Sequence, residues 1–306
     1  MAAAKSKFSQ MSQVIKSILI TGSGGQLGQE FQGLSSRYKN WKFHFTDSSS
    51  LDITDINAIR KTVEHIQPDV VINCAAYTNV ELAESEPEKA FELNASAVEN
   101  LALICNEKNI LLIHFSTDYV FDGTKSSPYL ESDSTNPINI YGKSKLDGEI
   151  RLVLTHSRYY ILRISWLYGI YGKNFFKTMI RLADEKQPVK VVSDQIASPT
   201  YAAILASDVL LLLSRSGDSE KKMPDYGIYH YTNGGEASWF DFASEILKPL
   251  DVKPEPVTTA SFPTKAQRPQ YSKLSTELWE KSTDISITPW REALQQCIEK
   301  YNIKPA

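Results

Sequence analysis

Cysteine is scarce in this 306-residue chain, and that scarcity excludes whole classes of protein. Cys74, Cys105 and Cys297 are too few, odd in number and too scattered for a disulfide framework or a zinc knuckle. Idle or buried thiols in a reducing cytoplasm are expected instead. No apolar run approaches the ~20 residues of a membrane span, and the first sixteen residues carry Lys5 and Lys7 without the apolar segment of a leader. No membrane partner is expected. Basic charge is also in short supply: 33 Lys and Arg stand against 36 Asp and Glu, with no clustered basic face, which argues against a nucleic-acid partner. Repeats and low-complexity tracts are missing too. With 42% hydrophobic residues, the chain can bury one large core or two unequal ones.

What is present is alternation of strand and helix. Ser17 to Thr21 is a short apolar run of the kind that fills a strand buried on both faces. It leads into Gly22-Ser-Gly-Gly-Gln-Leu-Gly28, followed by the helical pattern Leu27, Phe31, Leu34. Gly22, Gly25 and Gly28, set between strand and helix, form a dinucleotide fingerprint: one serves the turn, one close approach to pyrophosphate, one helix packing. A second strand, Lys42 to Thr46, ends at Asp47, nineteen residues after Gly28. The Asp47 carboxylate either accepts from an adenosine ribose hydroxyl, repelling a 2′-phosphate, or caps the turn Ser48-Ser-Ser50. Asp52 and Ile53 are placed to close over adenine. Helix Ile56 to Ile66 and strand Val70 to Asn73 complete a β-α-β-α-β pattern. That pattern predicts an α/β fold, a Rossmann-type doubly wound parallel sheet with right-handed crossovers. Past the third strand, Ala75, Ala76, Tyr77 and Thr78 offer small residues over which backbone can approach a ligand. Ser85 and Glu88 have capping-box spacing and predict a helix from Ser85 to about Lys108.

The candidate chemistry follows. Strand Ile110 to Phe115 runs into Ser116-Thr117, which puts the Thr117 hydroxyl at the reactive end of the cleft. Gly123 to Asn139 is long enough for a lid or substrate loop. A helix beginning near Tyr141 sets Tyr141 and Lys145 on one face. A free phenol gives up its proton poorly at neutral pH; a neighbouring ammonium lowers its pKa and lets Tyr141 act as a general acid, with Thr117 as second donor. Trp166, after strand Tyr160 to Ile164, holds a sugar face or a base, or else packs in the core. Beyond about Gly172 the alternation loosens, and a smaller C-terminal substrate lobe interleaved with the first is expected. The organisation is then a disordered tail over 1–15, a dinucleotide-binding domain over 16–172, and a mainly substrate-binding lobe over 173–306.

Taken together, these motifs resemble an extended short-chain dehydrogenase/reductase and, over nearly the whole chain, the dTDP-4-dehydrorhamnose reductases. The match is carried by Gly22 to Gly28, Asn73 to Thr78, Ser116 to Gly123, Tyr141 to Glu149, Arg163 to Gly169, Asp194 to Thr200, and Arg268-Pro269 with Ser272 and Leu274. In related sugar-nucleotide dehydratases an Asp-Glu pair follows the threonine; here Asp118-Tyr119 follows it, which disfavours elimination. The resemblance implies reduction of the C4 ketone of a dTDP-4-keto-6-deoxy sugar by NADPH or NADH. It implies that Tyr141 protonates the nascent alkoxide, Thr117 hydrogen-bonds it, and Lys145 both lowers the tyrosine pKa and holds the nicotinamide ribose. Gly25, Gln26, Leu27, Asp47, Asp52, Ile53, Ala75, Ala76, Tyr77 and Phe115 would line the cofactor, and Asp118 and Trp166 would touch the sugar. Arg268, in a Pro-bounded connector, either grips the substrate pyrophosphate or forms an inter-lobe salt bridge. Some members of the family bind Mg²⁺ between subunits through glutamates. Glu30 and Glu185 fall at two of those positions, but Lys300 stands at the third, so no metal and a monomer or weak homodimer are expected. Two further readings share the resemblance: a regulatory subunit like that of methionine adenosyltransferase, and a reductase giving the C4 epimer.

Overall fold

The apolar runs assemble into a six-stranded, all-parallel sheet. The computed structural model describes residues 14–218 and 223–303. Strands β1 (Ser17–Thr21), β2 (Lys42–Phe45), β3 (Val70–Asn73), β4 (Leu111–Thr117) and β5 (Tyr159–Ile164) lie in the order β2, β1, β3, β4, β5, and Gly227–His230 joins beside β5. Chain order reverses between β1 and β3, and a ligand crevice opens beyond the carboxyl ends of strands at such a switch point. β1, β3 and β4 are buried along their whole length, as strands covered by helices on both faces must be.

One face of the sheet carries α1 (Gln26–Ser35) and the helix Ala202–Ser214, with Phe31, Leu205 and Val209 in a shared core. The other carries α2 (Ile56–Ile66), with Ile59, Val63, Leu101 and Leu152 buried against it. A second core gathers Phe176, Phe242, Trp290 and Leu294 from the helices Phe175–Asp184, Trp239–Leu247 and Trp290–Tyr301. The chain passes between the two cores more than once, since Ala202–Ser214 and Gly227–His230 both return to the main sheet after residue 172. Of the expected tail, residues 1–13 lie outside the described residues, and Ile15 is buried in the sheet core.

The helix expected from Ser85 differs from the pattern reading. Val80–Ala83 forms one short turn (α3), and α4 (Pro87–Phe91) starts behind Glu86 with no side-chain cap. Pro87 decides the start: its fixed φ and missing N–H suit the first helical position, so the Ser85–Glu88 capping box does not form. Glu92–Ser96 then widens into a π-turn before α5 (Ala97–Glu107). Single π-turns inside helices gather at functional sites, and this one holds Asn94 fully buried. The loop 123–139 is pinned at its middle by Tyr129, which is 2% exposed and stacks on Phe121 at 4.2 Å.

Candidate active site

The glycine loop is shaped by close approach. Gly22 sits at φ +65°, and a Cβ there would lie 2.5 Å from the Ala75 nitrogen; one at Gly28 would lie 2.5 Å from the Gly22 carbonyl oxygen. Only glycine fits these two positions. α1 begins at Gln26 behind Gly25 with no side-chain cap, so the first amides of the helix point outward without a side-chain acceptor. A cradle without Cβ atoms at a helix N-terminus fits a pyrophosphate. Leu27 is buried beneath it, and Gln26 accepts from the side chain of Asn174 in the second core region. Asp47 lies beside the loop, its Cβ 3.9 Å from a Cβ at Gly24. Its Oδ1 accepts from the amides and hydroxyls of Ser49 and Ser50, so the turn-capping reading is realised with the carboxylate still exposed. The Ser49 hydroxyl and the other donors of the turn hold Asp47 below the usual carboxylate range. Asp52 caps the Thr54 amide at 2.9 Å, and Ile53 is buried. Ala75, Ala76, Tyr77 and Thr78 follow β3, with Ala75 N donating to Asn73 Oδ1 at 3.1 Å.

A buried polar chain runs under this crevice. Thr21 and Ala75 both donate to Asn73 Oδ1, which fixes the amide so that Asn73 Nδ2 faces His114 Nδ1 at 3.1 Å. The other ring nitrogen of His114, Nε2, lies 3.2 Å from Lys145 Nζ. Lys145, on α6 (Ile140–Thr155), also donates to the Phe115 carbonyl at 2.6 Å. Burial pushes its ammonium down to about 8, against the pull of Glu149. Burial and the Lys145 charge hold His114 well below its ordinary value, so it stays neutral.

α6 is capped by Asn139, whose Oδ1 accepts from Gly142 N at 2.7 Å, and that start brings Tyr141 to the end of β4. Gly142 is required here, because a Cβ would lie 2.2 Å from the Tyr119 carbonyl oxygen. The Tyr141 phenol hydrogen-bonds the Thr117 side chain, and its ring meets Tyr119 edge-on at 5.9 Å. One expectation fails at this point. Lys145 does not lower the phenol: burial raises Tyr141 to about 12, while the Thr117 hydrogen bond pulls the other way. The i,i+4 spacing does put both side chains in the site, but the ammonium turns to the Phe115 carbonyl and His114. Asp118 differs as well. Rather than opening to a sugar, its carboxyl is 2% exposed, accepting from Ser272 Oγ at 2.5 Å and Thr117 Oγ1 at 3.1 Å.

Trp166 adopts φ +45° and stacks on Trp239 with centroids 3.6 Å apart, so one of its faces is taken. Arg268 Nη2 donates to Glu81 Oε1 at 2.9 Å, while its buried Nε has no hydrogen-bond partner among the described residues. Burial alone would raise the Glu81 carboxyl, but Arg268 and the amides of Lys265 and Ala266 hold it below its ordinary value. Lys300 Nζ lies 2.8 Å from Glu30, and Glu185 pairs with Arg181. Among the described residues no group of three or more His, Cys, Asp or Glu side chains is arranged to hold a metal ion.

Three contributors escaped the sequence reading. Asn94 takes the Tyr77 amide at 2.9 Å and donates to Ser144 at 3.0 Å, locking the loop after β3 to α6. His114 looked like one more residue of an apolar strand. Ser272 reaches Asp118 from 154 positions away, a distance no local pattern reports.

A nucleotide cradle at the β1–β3 switch point and a tyrosine, a lysine and a threonine at the ends of β4 and α6 define a nicotinamide-dependent reductase of the short-chain dehydrogenase type. The chain belongs to the RmlD substrate binding domain family, whose model matches residues 16–303. It is 41% identical over 289 residues to the dTDP-4-dehydrorhamnose reductase of Aggregatibacter actinomycetemcomitans, covering 91% of this chain and 97% of that protein. Crystal structures agree. The dTDP-4-dehydrorhamnose reductase of Bacillus anthracis, in complex with NADP, superposes with a TM-score of 0.87 at 38% identity, covering 94% of this chain and 99% of that one. The ortholog from Clostridium acetobutylicum superposes at 0.86 with 41% identity, covering 94% of this chain and 100% of that one.

Proposed function

We propose that this chain reduces the C4 ketone of dTDP-4-dehydrorhamnose to dTDP-L-rhamnose at the expense of NADPH or NADH. The observation that carries the reading is the meeting of Thr117, Tyr141 and Lys145 beside the glycine cradle, in a chain that aligns over almost its full length with reductases of that name. A bound nicotinamide supplies the hydride. Gly22, Gly25, Gln26, Leu27 and Gly28 hold its pyrophosphate, Asp47 the adenosine ribose, Asp52 and Ile53 the adenine side, and Ala75 to Tyr77 with Phe115 the inner wall. Tyr141 passes its phenol proton to the oxygen at C4, and Thr117 donates a hydrogen bond to the same oxygen. Lys145 holds positive charge beneath them, where a low-dielectric site makes that charge effective. Thr78, Trp166 and Arg268 form the substrate side, with Asp118 behind Thr117.

The test is to add dTDP-4-dehydrorhamnose to the purified chain with NADH or NADPH and follow loss of the reduced cofactor. NMR of the product distinguishes rhamnose from its C4 epimer. No oxidation, together with tight binding to a methionine adenosyltransferase subunit, would make the chain a regulator instead. The Lys300 ammonium on Glu30 supports an enzyme that works without a bridging Mg²⁺, as a monomer or weak homodimer. No helix among the described residues is long and apolar enough to cross a membrane, and a nucleotide-sugar enzyme of this kind belongs in the cytoplasm.

Asp47 sets the cofactor prediction. NADH should be used well, and Asp47→Ala should move the ratio of kcat/KM values toward NADPH by roughly tenfold, the size of one screened like-charge contact. A wild-type enzyme that already strongly prefers NADPH shows that Asp47 serves only its turn.

Arg268 sets the substrate prediction. With Lys125, Lys265, Phe262 and Tyr271 it lines a cavity of about 650 Å³, which suits the nucleotide half of the substrate. Arg268→Lys should raise KM for the dTDP-sugar roughly tenfold, with NADH affinity unchanged, because paired contacts to pyrophosphate are lost. The Glu81 pair is partly exposed, so its loss should barely move the melting temperature. A mutant that melts several degrees lower with unaltered KM makes Arg268 structural.

A further inference from the structure

A hydroxyl has one proton to give, and beside Thr117 the Asp118 carboxyl and the Tyr141 oxygen compete for it. Thr117 Oγ1 lies 3.1 Å from Asp118 Oδ1 and accepts from the Tyr119 amide at 3.1 Å. A carboxylate in that position competes with any substrate oxygen for the Thr117 proton. Among the described residues Asp118 has no cationic hydrogen-bond partner; its second oxygen accepts from Ser272 Oγ at 2.5 Å, and the amides of Asp118 and Tyr119 also donate to the carboxyl. The groups facing it are Tyr141 from α6, Tyr119 on its own turn and Ser272 from the connector. Arg268 and Glu81, whose charges reach Tyr119, are paired with each other.

Resting on the reductase reading above, we propose that Asp118 is a positioning residue that works as the neutral acid. Protonated on Oδ1, it donates to Thr117 Oγ1 and turns the Thr117 proton toward the substrate carbonyl; ionised, it takes that proton away. The hydrogen-bond inventory closes on this arrangement. Thr117 Oγ1 then accepts from the Tyr119 amide and the Asp118 acid, which leaves its single donor for the Tyr141 oxygen in the ligand-free site and for the substrate oxygen in the complex. Ser272 keeps Oδ2 occupied as an acceptor, so the acid proton stays on the oxygen that faces Thr117. Each donor in the chain Asp118–Thr117–substrate strengthens the next.

Burial supports the protonated form: it raises Asp118 to about 7, with the Ser272 and Thr117 hydrogen bonds pulling the other way. Losing the Ser272 bond therefore moves that value further up. Burial also lowers the Lys145 ammonium, to about 8, so loss of its charge adds a second contribution to the alkaline fall in rate.

The experiment is the pH profile of kcat at saturating NADH and dTDP-4-dehydrorhamnose. Wild type should lose rate through the Asp118 step and then the Lys145 step. Asp118→Asn, whose amide donates at every pH, should keep only the upper step, and Ser272→Ala should move the lower step to higher pH. Asp118→Leu, with no donor, should lower kcat at all pH values. Infrared difference spectra of wild type against Asp118→Asn, recorded without substrate, should show a neutral carboxylic acid that disappears as pH rises through the lower step. That reading survives even where the sugar is the wrong substrate, so failure of the two proposals can be told apart. An Asp118→Asn profile that retains the lower step overturns the inference. So does a spectrum in which the carboxyl is ionised down to about pH 5, near the ordinary range for Asp.

Discussion

Tyr141→Phe is expected to lower kcat by roughly 10²- to 10⁴-fold, the range that follows removal of a general acid. Melting temperature and NADH affinity should hold. The substitution removes one oxygen whose hydrogen bond goes to Thr117, and leaves the ring edge-on to Tyr119. With its pKa raised to about 12, the phenol of the ligand-free site is a fully loaded proton donor rather than a phenolate. Releasing that proton requires charge stabilisation that appears only as the C4 oxygen turns anionic, so the loss should fall on kcat more than on KM. A mutant with unchanged kcat removes Tyr141 as the proton source.

Glu149→Ala should cost roughly 3–5 kcal/mol of stability, the largest effect expected away from the reacting atoms. Arg163 on β5 and Glu149 on α6 are 4% and 2% exposed at their side chains and form three hydrogen bonds, the shortest 2.7 Å. The guanidinium also lies over the Phe121 ring at 5.2 Å. Removing the carboxylate strands a cation that cannot neutralise itself, whereas removing both charges does not. Denaturant unfolding should therefore show the double variant Arg163→Met/Glu149→Leu recovering most of what Glu149→Ala loses. A single mutant within about 1 kcal/mol of wild type, an ordinary surface change, means that water or another group reaches Arg163. This pair anchors α6 to the sheet and so fixes Tyr141 and Lys145 on the same helix. A smaller loss of kcat should accompany the loss of stability.

Much of the architecture was legible because it depends on local rules. β1, β3 and β4 announced themselves as apolar runs, the glycines at 22 and 28 as positions where a side chain would collide, and Tyr141 and Lys145 as a helical pair. The Ser85 capping box failed because a stronger local rule, Pro87 at the first helical position, stood two residues away. The π-turn at Glu92–Ser96 had no signal, since its residues suit an ordinary helix; in the fold it lies where α6 packs closely against Asn94. A Cβ at Gly148 would lie 2.0 Å from the Asn94 carbonyl oxygen.

The sequence by itself determined the parallel sheet, the glycine turn and the helical pairing of Tyr141 with Lys145, because strand burial, glycine geometry and helical spacing act over a few residues. Tertiary structure decided where those groups point and which protons they carry. Lys145 turned from the phenol toward the Phe115 carbonyl and His114, and Asp118 turned from the sugar toward Ser272. Arg268 found Glu81, 187 positions away. The direction of each side chain follows from the partners the whole fold brings to it, and for the buried Lys145 and Asp118 desolvation sets the protonation as well; neither is encoded within one turn of helix or one strand.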